Sequence, residues 1–275
     1  MSRYNQASLT AAFRDCGIQQ GDILFSHVSL GRLGLADEGR TVEIVSAVVL
    51  GALRAAVGEA GTLLVPTYTY SIGAGELFDV QETPSAVGEF TEIFRKLPGV
   101  VRSAEPMLAV AGQGPRAREL LSALPKTSYG PGSVYERLRL SGAKICNIGV
   151  GLYYATFRHH IEELAEVPFR FKKAFKGRVR ENGVTREEEW IYSCAPRLDC
   201  CAPVGLPLEK LCREAGLVRA VKVGWSEVVC IGAREYFDFG YARLKEQPWL
   251  TAKGPPCSAD ELAAGKYNAP VGNES

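Results

Sequence analysis

The stretch Gly21-Asp22-Ile23-Leu24-Phe25-Ser26-His27-Val28-Ser29-Leu30-Gly31 contains a short apolar run that ends in small polar residues and glycine. An apolar run bounded by turn residues is typical of a strand buried on both faces. The runs 62–66 (TLLVP) and 144–150 (KICNIGV) have the same character, and segments with helical periodicity separate the three. Buried strands that alternate with helices predict an α/β fold with a largely parallel central sheet flanked by helices.

A different pattern appears in the second half of the chain. Asn182-Gly183 lies between two extended runs, which predicts a β-hairpin insertion at about 172–195. The tail at about 254–275 is rich in turn residues, and we expect it to be loosely held. Because neither a repeat nor a linker divides the chain, we expect a single domain over residues 1–275.

The composition excludes several classes of protein. Lysine plus arginine number 32 against 31 aspartate plus glutamate, for a net charge of +1, whereas proteins that bind nucleic acid usually present a basic face. The most apolar stretch, 44–53, is too short to cross a bilayer. The first residues are polar and carry no secretory signal. We therefore expect a cytoplasmic protein, with neither a nucleic-acid partner nor membrane insertion.

The cysteines favour a reducing environment. The eight cysteines include no C-x-x-C pair, and three histidines accompany them. In the absence of an export signal, we interpret all eight as reduced thiols. Adjacent Cys200 and Cys201 leave a metal site as a weaker alternative, and we expect no metal in the function.

The segment 157–163 (FRHHIEE) contains a candidate acid–base pair. On a helix, His159 and Glu162 are three residues apart and can touch. A carboxylate beside an imidazole fixes its tautomer and raises its basicity, which suits a general base. His160 and Glu163 have the same spacing, a solvated salt bridge would explain either pair, and a zinc site would need further ligands. Spacing alone leaves these alternatives open.

Two loops combine glycine with hydroxyl side chains. The loop 26–34 follows a predicted parallel strand, where exposed backbone N–H groups and hydroxyls suit a phosphate or pyrophosphate. The loop 129–138 leads into a short helix with Ser133 near its N-cap. An ordinary turn and a simple helix cap are the alternatives, since neither loop matches the P-loop or dinucleotide fingerprint.

Five segments in order along the chain resemble the aminoglycoside 3-N-acetyltransferase (antibiotic N-acetyltransferase) family. They are 21–30 against G-D-x-x-x-V-H-S-S-L, 66–69 against P-T-[FY]-T, 83–88 against T-P-S-x-x-G, 95–103 against R-x-x-P-G-V-x-R-S and 156–162 against T-x-x-H-H-x-E. The last motif selects His159 and Glu162 over the neighbouring pair. Ser26 and Val28 depart from the first motif. The stretch 104–109 (AEPMLA) lacks the histidine and serine of A-H-P-x-x-S-x-x-A, the continuation usual in antibiotic-modifying members.

The resemblance implies transfer of an acyl group from acetyl-CoA or a longer acyl-CoA to the primary amine of an amino sugar. His159 would be the general base and Glu162 its orienting carboxylate, with direct attack on the thioester. The departure at 104–109, together with 128–133 and the tail, favours a nucleotide-linked amino sugar of surface polysaccharide biosynthesis as acceptor. Transfer to an aminoglycoside, and so antibiotic resistance, is the alternative. A protein that binds a sugar nucleotide or coenzyme A without catalysis, and a hydrolase, are further alternatives.

The ligand contacts are divided between the two substrates. By resemblance, the residues expected to contact coenzyme A are His27, Ser29, Gly31, Arg102, Ser103 and Ser133. Aromatic faces stack on sugars and a carboxylate holds an ammonium, so the residues expected on the acceptor side are Tyr68, Tyr70 and Asp79. For each tyrosine, packing in the core is an equal alternative. The partners expected are the amino-sugar acceptor and, as an open alternative, a second copy of the chain.

Overall fold

A computed structural model of the protein describes residues 3–267. The strands formed by these residues are β1 (Arg3–Tyr4), β2 (Ile23–Phe25), β3 (Leu35–Ala36), β4 (Thr62–Pro66), β5 (Phe78–Asp79), β6 (Val101–Arg102), β7 (Val110–Gln113), β8 (Lys144–Ile148), β9 (Phe171–Glu181), β10 (Val184–Cys194), β11 (Arg219–Val223) and β12 (Ser226–Gly232). The helices are α1 (Gln6–Asp15), α2 (Leu30–Leu33), α3 (Val42–Val57), α4 (Ser71–Ala74), α5 (Glu89–Arg95), α6 (Ala117–Leu121), α7 (Val134–Leu140), α8 (Arg158–Ala165), α9 (Leu206–Glu214), α10 (Ala233–Glu246) and α11 (Ala259–Tyr267). Short 3-10 turns lie at Leu152–Tyr154 and Asp199–Cys201.

The main sheet has seven strands in the order β11-β12-β8-β2-β4-β7-β6. The three strands predicted from apolar runs, β2, β4 and β8, are parallel and central. On both sides the sheet continues with antiparallel pairs, β8 with β12, β12 with β11, β4 with β7, and β7 with β6. The α/β fold class is confirmed, whereas the expected largely parallel sheet is wrong because the sheet is mixed. The edge strands are short or half-exposed and therefore lack the apolar runs that reveal a parallel core.

Two apolar layers cover the faces of this sheet. Side chains of α1 and α3, such as Leu9 and Val49, pack on one face. Side chains of α7, α8 and α10, such as Leu138, Ile161 and Tyr236, pack on the other. The apolar side of helix α8 packs in this second layer, which fixes the position of the helix relative to the sheet. Among the described residues, no helix combines the length and the apolar character that a bilayer crossing requires.

The predicted hairpin is present. Strands β9 and β10 pair in antiparallel register from Phe171 with Cys194 to Glu181 with Val184. Asn182 and Gly183 form the two-residue turn with φ angles of 49° and 78°, the positive values that this kind of turn requires. The base of the hairpin, at residues 171 and 194, adjoins α8.

The cysteines and the tail differ from expectation. Cys200 and Cys257 form a disulfide, so the interpretation of all eight cysteines as reduced thiols is wrong for these two. Their segments meet because Pro203 and Ala252 form a β-bridge, a long-range contact that the sequence pattern does not indicate. Helix α11 occupies part of the segment expected to be loose, and residues 268–275 of that segment lie outside the described residues.

Candidate active site

A cavity of about 670 Å³ lies beyond the carboxyl ends of the parallel strands. Its walls come from the segment after β4, the segment after β8, the base of the hairpin and the loop 195–203. Ligand sites of α/β proteins lie at this edge because loops there are free to vary while the strands fix their starting points. The cavity has the size of a small-molecule site.

His159 and Glu162 meet at the wall of this cavity. The His159 Nδ1 donates to Glu162 Oε2 at 2.7 Å, as their spacing on helix α8 requires. His159 lines the cavity and is 9% exposed, whereas Glu162 is fully buried behind it. Because an ionised carboxylate only accepts hydrogen bonds, this contact assigns the proton to Nδ1 and the lone pair to Nε2. The arrangement orients an imidazole towards a ligand and fixes its tautomer.

Two arginines, which sequence reasoning missed, complete the charge cluster. Arg158 Nε donates to Glu162 Oε1 at 2.9 Å, and Arg170 Nε donates to Oε2 at 2.5 Å. Arg170 Nη2 also lies 2.5 Å from His159 Nδ1. Arg158 was detectable, because it stands four residues before Glu162 on the same helix. Arg170 was not, because it enters from the loop between α8 and β9.

The surroundings favour a neutral imidazole next to an ionised carboxylate. Burial and then the charge of Arg170 lower the pKa of His159, against the opposing effect of Glu162. Burial alone would raise the pKa of Glu162, but Arg170, His159 and Arg158 hold it well below its usual range. His159 also lies in the first turn of α8, where the helix dipole disfavours a cation. A base that is unprotonated at neutral pH is the result.

The alternative pair, His160 with Glu163, does not form. His160 Nδ1 donates to the Tyr129 main-chain oxygen at 2.5 Å, and its ring packs against Phe157 and Phe237. The side chain is fully buried, and burial lowers its pKa to about 4. His160 is therefore a neutral core residue, and His159 is the one that faces the cavity.

Tyrosines form much of the remaining wall. The expected Tyr68 and Tyr70 both line the cavity, and so do Tyr129 and Tyr192, which sequence reasoning missed. The Tyr68 and Tyr135 hydroxyls are 2.8 Å apart, and the Tyr129 ring lies 5.4 Å from the His159 ring. These rings offer faces and hydroxyls to a polar ring-shaped ligand.

A buried carboxylate stands behind this wall. Tyr192 donates from its hydroxyl to Glu105, and the main-chain N–H groups of Met107 and Leu108 donate to the same carboxylate. Burial raises the pKa of Glu105 to about 7. Glu105 thus fixes both Tyr192 and the 107–108 segment of the wall, at the position where the sequence departs from A-H-P.

Asp79 is not part of the cavity. Its Oδ1 accepts from the main-chain N–H groups of Gln81 and Glu82, and its Oδ2 lies 3.7 Å from Arg180. This carboxylate stabilises a turn beside the hairpin and lies outside the cavity lining, and its expected contact with the acceptor stays a prediction. The carboxylate that lines the cavity is Asp199, which pairs with the exposed Lys253 at 2.6 Å.

The residues expected to contact coenzyme A divide into two groups. His27 does not line the cavity itself, but its Nε2 lies 3.1 Å from the hydroxyl of Thr156, which does. Burial lowers the pKa of His27 to about 4. Ser29 is half-buried at the start of α2, and Gly31 is exposed on that helix. Ser29 and Gly31 remain accessible to a ligand, and their role stays a prediction.

The other three residues, Arg102, Ser103 and Ser133, form hydrogen bonds within the protein. Arg102 donates to the Thr67 hydroxyl and to the main-chain oxygens of residues 67, 80 and 83. Ser103 is fully buried, and its hydroxyl accepts from Val110 N. Ser133 is 1% exposed and caps α7, as the structural alternative predicted. The hydroxyls of Ser103 and Ser133 are buried in this geometry, and the expected contacts of Arg102, Ser103 and Ser133 with coenzyme A stay predictions.

Comparisons with known proteins agree with one another. The model of the family described as "Aminoglycoside 3-N-acetyltransferase" matches residues 25–245. Aminoglycoside N(3)-acetyltransferase VII of Streptomyces paromomycinus is 28% identical over 259 residues, which is 84% of this chain and 88% of the relative. The crystal structure of aminoglycoside acetyltransferase AAC(3)-Xa has a TM-score of 0.78 at 23% identity, covering 89% of this chain and 93% of that one. AAC-IIIb, solved as a binary complex with coenzyme A, has a TM-score of 0.77 at 23% identity, covering 93% of this chain and all of that one.

Proposed function

Since the chain belongs to the aminoglycoside 3-N-acetyltransferase family, we propose that it transfers the acetyl group of acetyl-CoA to a primary amine of an aminoglycoside, with His159 as general base. Members of this family are acyl-CoA-dependent N-acyltransferases, so the chain is an enzyme with acyl-CoA as co-substrate. The observation that carries the assignment of the base is the hydrogen bond from His159 to buried Glu162 at the cavity wall.

The proposed reaction begins with deprotonation of the acceptor. An amine arrives largely as an ammonium ion, which has no lone pair for attack. His159 Nε2 accepts a proton from it, directly or through one water, and Glu162 stabilises the imidazolium that forms. The cation of Arg170 beside the ring keeps the base unprotonated before the acceptor arrives.

The amine nitrogen then attacks the thioester carbonyl carbon. The tetrahedral intermediate breaks its C–S bond, and the coenzyme A thiolate leaves. The nitrogen releases its second proton to solvent as the amide forms, and protonation of the thiolate by the His159 imidazolium returns the base to its neutral state. The products are therefore the amide, coenzyme A thiol and one proton. No acyl-enzyme is required. The thiol of Cys146 is fully buried in β8, so this cysteine is not an accessible nucleophile.

The acceptor side is supported by the tyrosine wall and by Asp199. Tyr68 and Tyr70 present rings to the cavity, which suits the faces of sugar rings. Asp199 is exposed at the rim, where an ammonium group of a polyamine acceptor would compete with Lys253 for its carboxylate.

The nucleotide-linked acceptor expected from the sequence receives no support from the relatives, which are named as aminoglycoside acetyltransferases. The segment 128–133 that suggested it has a structural role, because Ser128 and Tyr129 are buried and Ser133 caps a helix. The tail, the other part of that argument, lies partly outside the described residues.

Thiol release from acetyl-CoA tests this proposal, with a panel of aminoglycosides and a panel of nucleotide-linked amino sugars as acceptors. We expect release with aminoglycosides, and a fall in kcat of about 10²–10⁴ in His159→Asn, the usual share of a general base. His160→Asn is the matched control, because its ring is turned into the core. Turnover with nucleotide-linked sugars alone would overturn the acceptor, and unchanged turnover in His159→Asn across the pH range would overturn the base.

A further inference from the structure

Three sulfur atoms lie together beside the cavity, and one of them belongs to the cavity-lining Cys201. The Sγ atoms of Cys200, Cys201 and Cys257 all lie within 4.8 Å of one another. Cys200 is bonded to Cys257, and the thiol of buried Cys201 is 3.7 Å from Cys200 Sγ. Cys201 also lines the cavity. The proposed acyl transfer makes no use of this cluster.

We propose that Cys200, Cys201 and Cys257, once the disulfide is reduced, form a three-thiolate binding site for a thiophilic divalent metal ion such as Zn²⁺. Thiolates are preferred ligands of such ions. Two sulfurs that bind one tetrahedral zinc at about 2.3 Å are about 3.8 Å apart. The separation of Cys200 and Cys201 already has this value, so two of the three ligands are in place.

The third ligand is held near the other two by the main chain. Gly254 N donates to Cys200 O at 3.0 Å, Lys253 N to Ala202 O at 2.9 Å, and Val204 N to Thr251 O at 2.9 Å. These bonds do not involve sulfur, so we expect them to hold the segment that carries Cys257 in place after reduction. The site is therefore largely formed before an ion arrives, which lowers the entropic cost of binding.

The backbone spacing suits the metal-bound form as well as the disulfide. The Cα atoms of Cys200 and Cys257 are 6.5 Å apart, towards the upper end of the range of about 4.4–6.8 Å that disulfides span. Rotation of the two side chains then suffices to bring their sulfurs to the separation that a shared ion requires.

The two chemical steps balance as follows. Reduction of the Cys200–Cys257 bond takes two electrons and two protons from a dithiol, which becomes a cyclic disulfide. Binding of the ion then displaces one proton from each of three thiols and forms three metal–sulfur bonds, with a fourth position open to water.

Cadmium binding by the full-length chain tests the proposal, because cadmium–thiolate bonds absorb in the ultraviolet. The protein is reduced with a phosphine under nitrogen, desalted and titrated with Cd²⁺, and bound metal is counted by mass spectrometry. We expect about one ion per chain, with at least tenfold weaker binding in Cys201→Ser and in Cys257→Ser. Cys194→Ser is the matched control, since this half-buried cysteine lines the same cavity outside the cluster.

Oxidised wild-type protein gives a second comparison that needs no substitution. With the disulfide intact, one thiol of the cluster remains, and we expect binding at least tenfold weaker than in the reduced protein. Equal cadmium absorption in the wild type, Cys201→Ser and Cys257→Ser would overturn the proposal. So would a thiol count that stays at six after reduction, the number of free cysteines with the disulfide intact.

Discussion

Replacing Glu162 by glutamine removes one negative charge from a buried cluster without changing its volume. In the wild type, the carboxylate accepts from Arg158, His159 and Arg170 at 2.9, 2.7 and 2.5 Å, and it has no exposed surface. The variant leaves two guanidinium cations beside a neutral amide. Breaking a buried ion pair from one side costs about 3–5 kcal/mol.

The structure places the expected loss near the lower end of that range. Arg158 keeps a hydrogen bond to the Tyr153 main-chain oxygen, and Arg170 keeps one to Ser193, so neither cation loses all its acceptors. For 275 residues, an unfolding entropy of about 2.1 cal/mol/K per residue converts about 3 kcal/mol into a melting temperature lower by about 5 °C.

The pH dependence of this loss has a definite sign. Because the pKa of Glu162 is held well below its usual range, the carboxylate stabilises the folded state at all pH values above its ordinary pKa of about 4.5. This contribution disappears as the pH falls and the folded-state carboxylate takes up a proton. The difference in unfolding free energy between the wild type and Glu162→Gln is therefore full at pH 7 and shrinks below about pH 4.5.

Calorimetry at several pH values, together with thiol release, measures both consequences. We expect kcat to fall by about 10²–10⁴, since the amide no longer stabilises the imidazolium. Glu163→Gln is the control, because its partner Lys172, 3.5 Å away, is mostly exposed and burial raises the pKa of Glu163 rather than lowering it. Removing this charge is therefore expected to cost less than the Glu162→Gln substitution. A Glu162→Gln variant as stable at pH 7 as Glu163→Gln would refute the electrostatic argument.

Two further predictions concern acid stability and the acceptor. Burial lowers the pKa of His160 to about 4 in the folded state, from its ordinary value of 6.5. As the pH falls, His160 therefore takes up a proton in the unfolded chain before it does so in the folded chain. We therefore expect this residue to lower the unfolding free energy by about 3 kcal/mol between pH 6.5 and 4, and an equally steep decline in His160→Gln would contradict this. Asp199→Asn is expected to raise KM for an aminoglycoside about two- to fivefold and to leave KM for acetyl-CoA unchanged; equal effects on both would argue against an acceptor contact.

Local patterns explain what the sequence predicted well. The parallel strands β2, β4 and β8 are buried on both faces, so their residues form continuous apolar runs. His159 and Glu162 are three apart on one helix, so their contact needs only the helical repeat. The hairpin turn at Asn182-Gly183 is equally local, since positive φ angles favour these two residues.

Long-range contacts explain what the sequence did not predict. Arg170 reaches Glu162 from a loop whose course depends on how the hairpin packs against α8. Cys200 and Cys257 are 57 residues apart and meet through a β-bridge between their segments. Strand β11 (RAVKV) is mostly exposed at the sheet edge, so it contains no apolar run from which a strand could be predicted. Neither spacing nor composition carries this information.

Arg170 lies directly before the hairpin, so substitutions at the base of the hairpin and insertions at its turn are expected to have different effects. At the base, this residue connects the Glu162 carboxylate to the Ser193 main chain, so we expect substitutions there to act on the proposed general base. Strand β9 extends for 11 residues beyond this anchor, which carries the turn about 35 Å away. Asn182 and Gly183 are exposed, but β5 pairs with β9 at residues 179 and 180 and the Asn182 side chain accepts from Gln81 Nε2. A peptide tag inserted at the turn is therefore expected to extend into solvent provided that it leaves these contacts in place. The turn, rather than the strands or the base of the hairpin, is therefore the place for a fusion in engineering this enzyme.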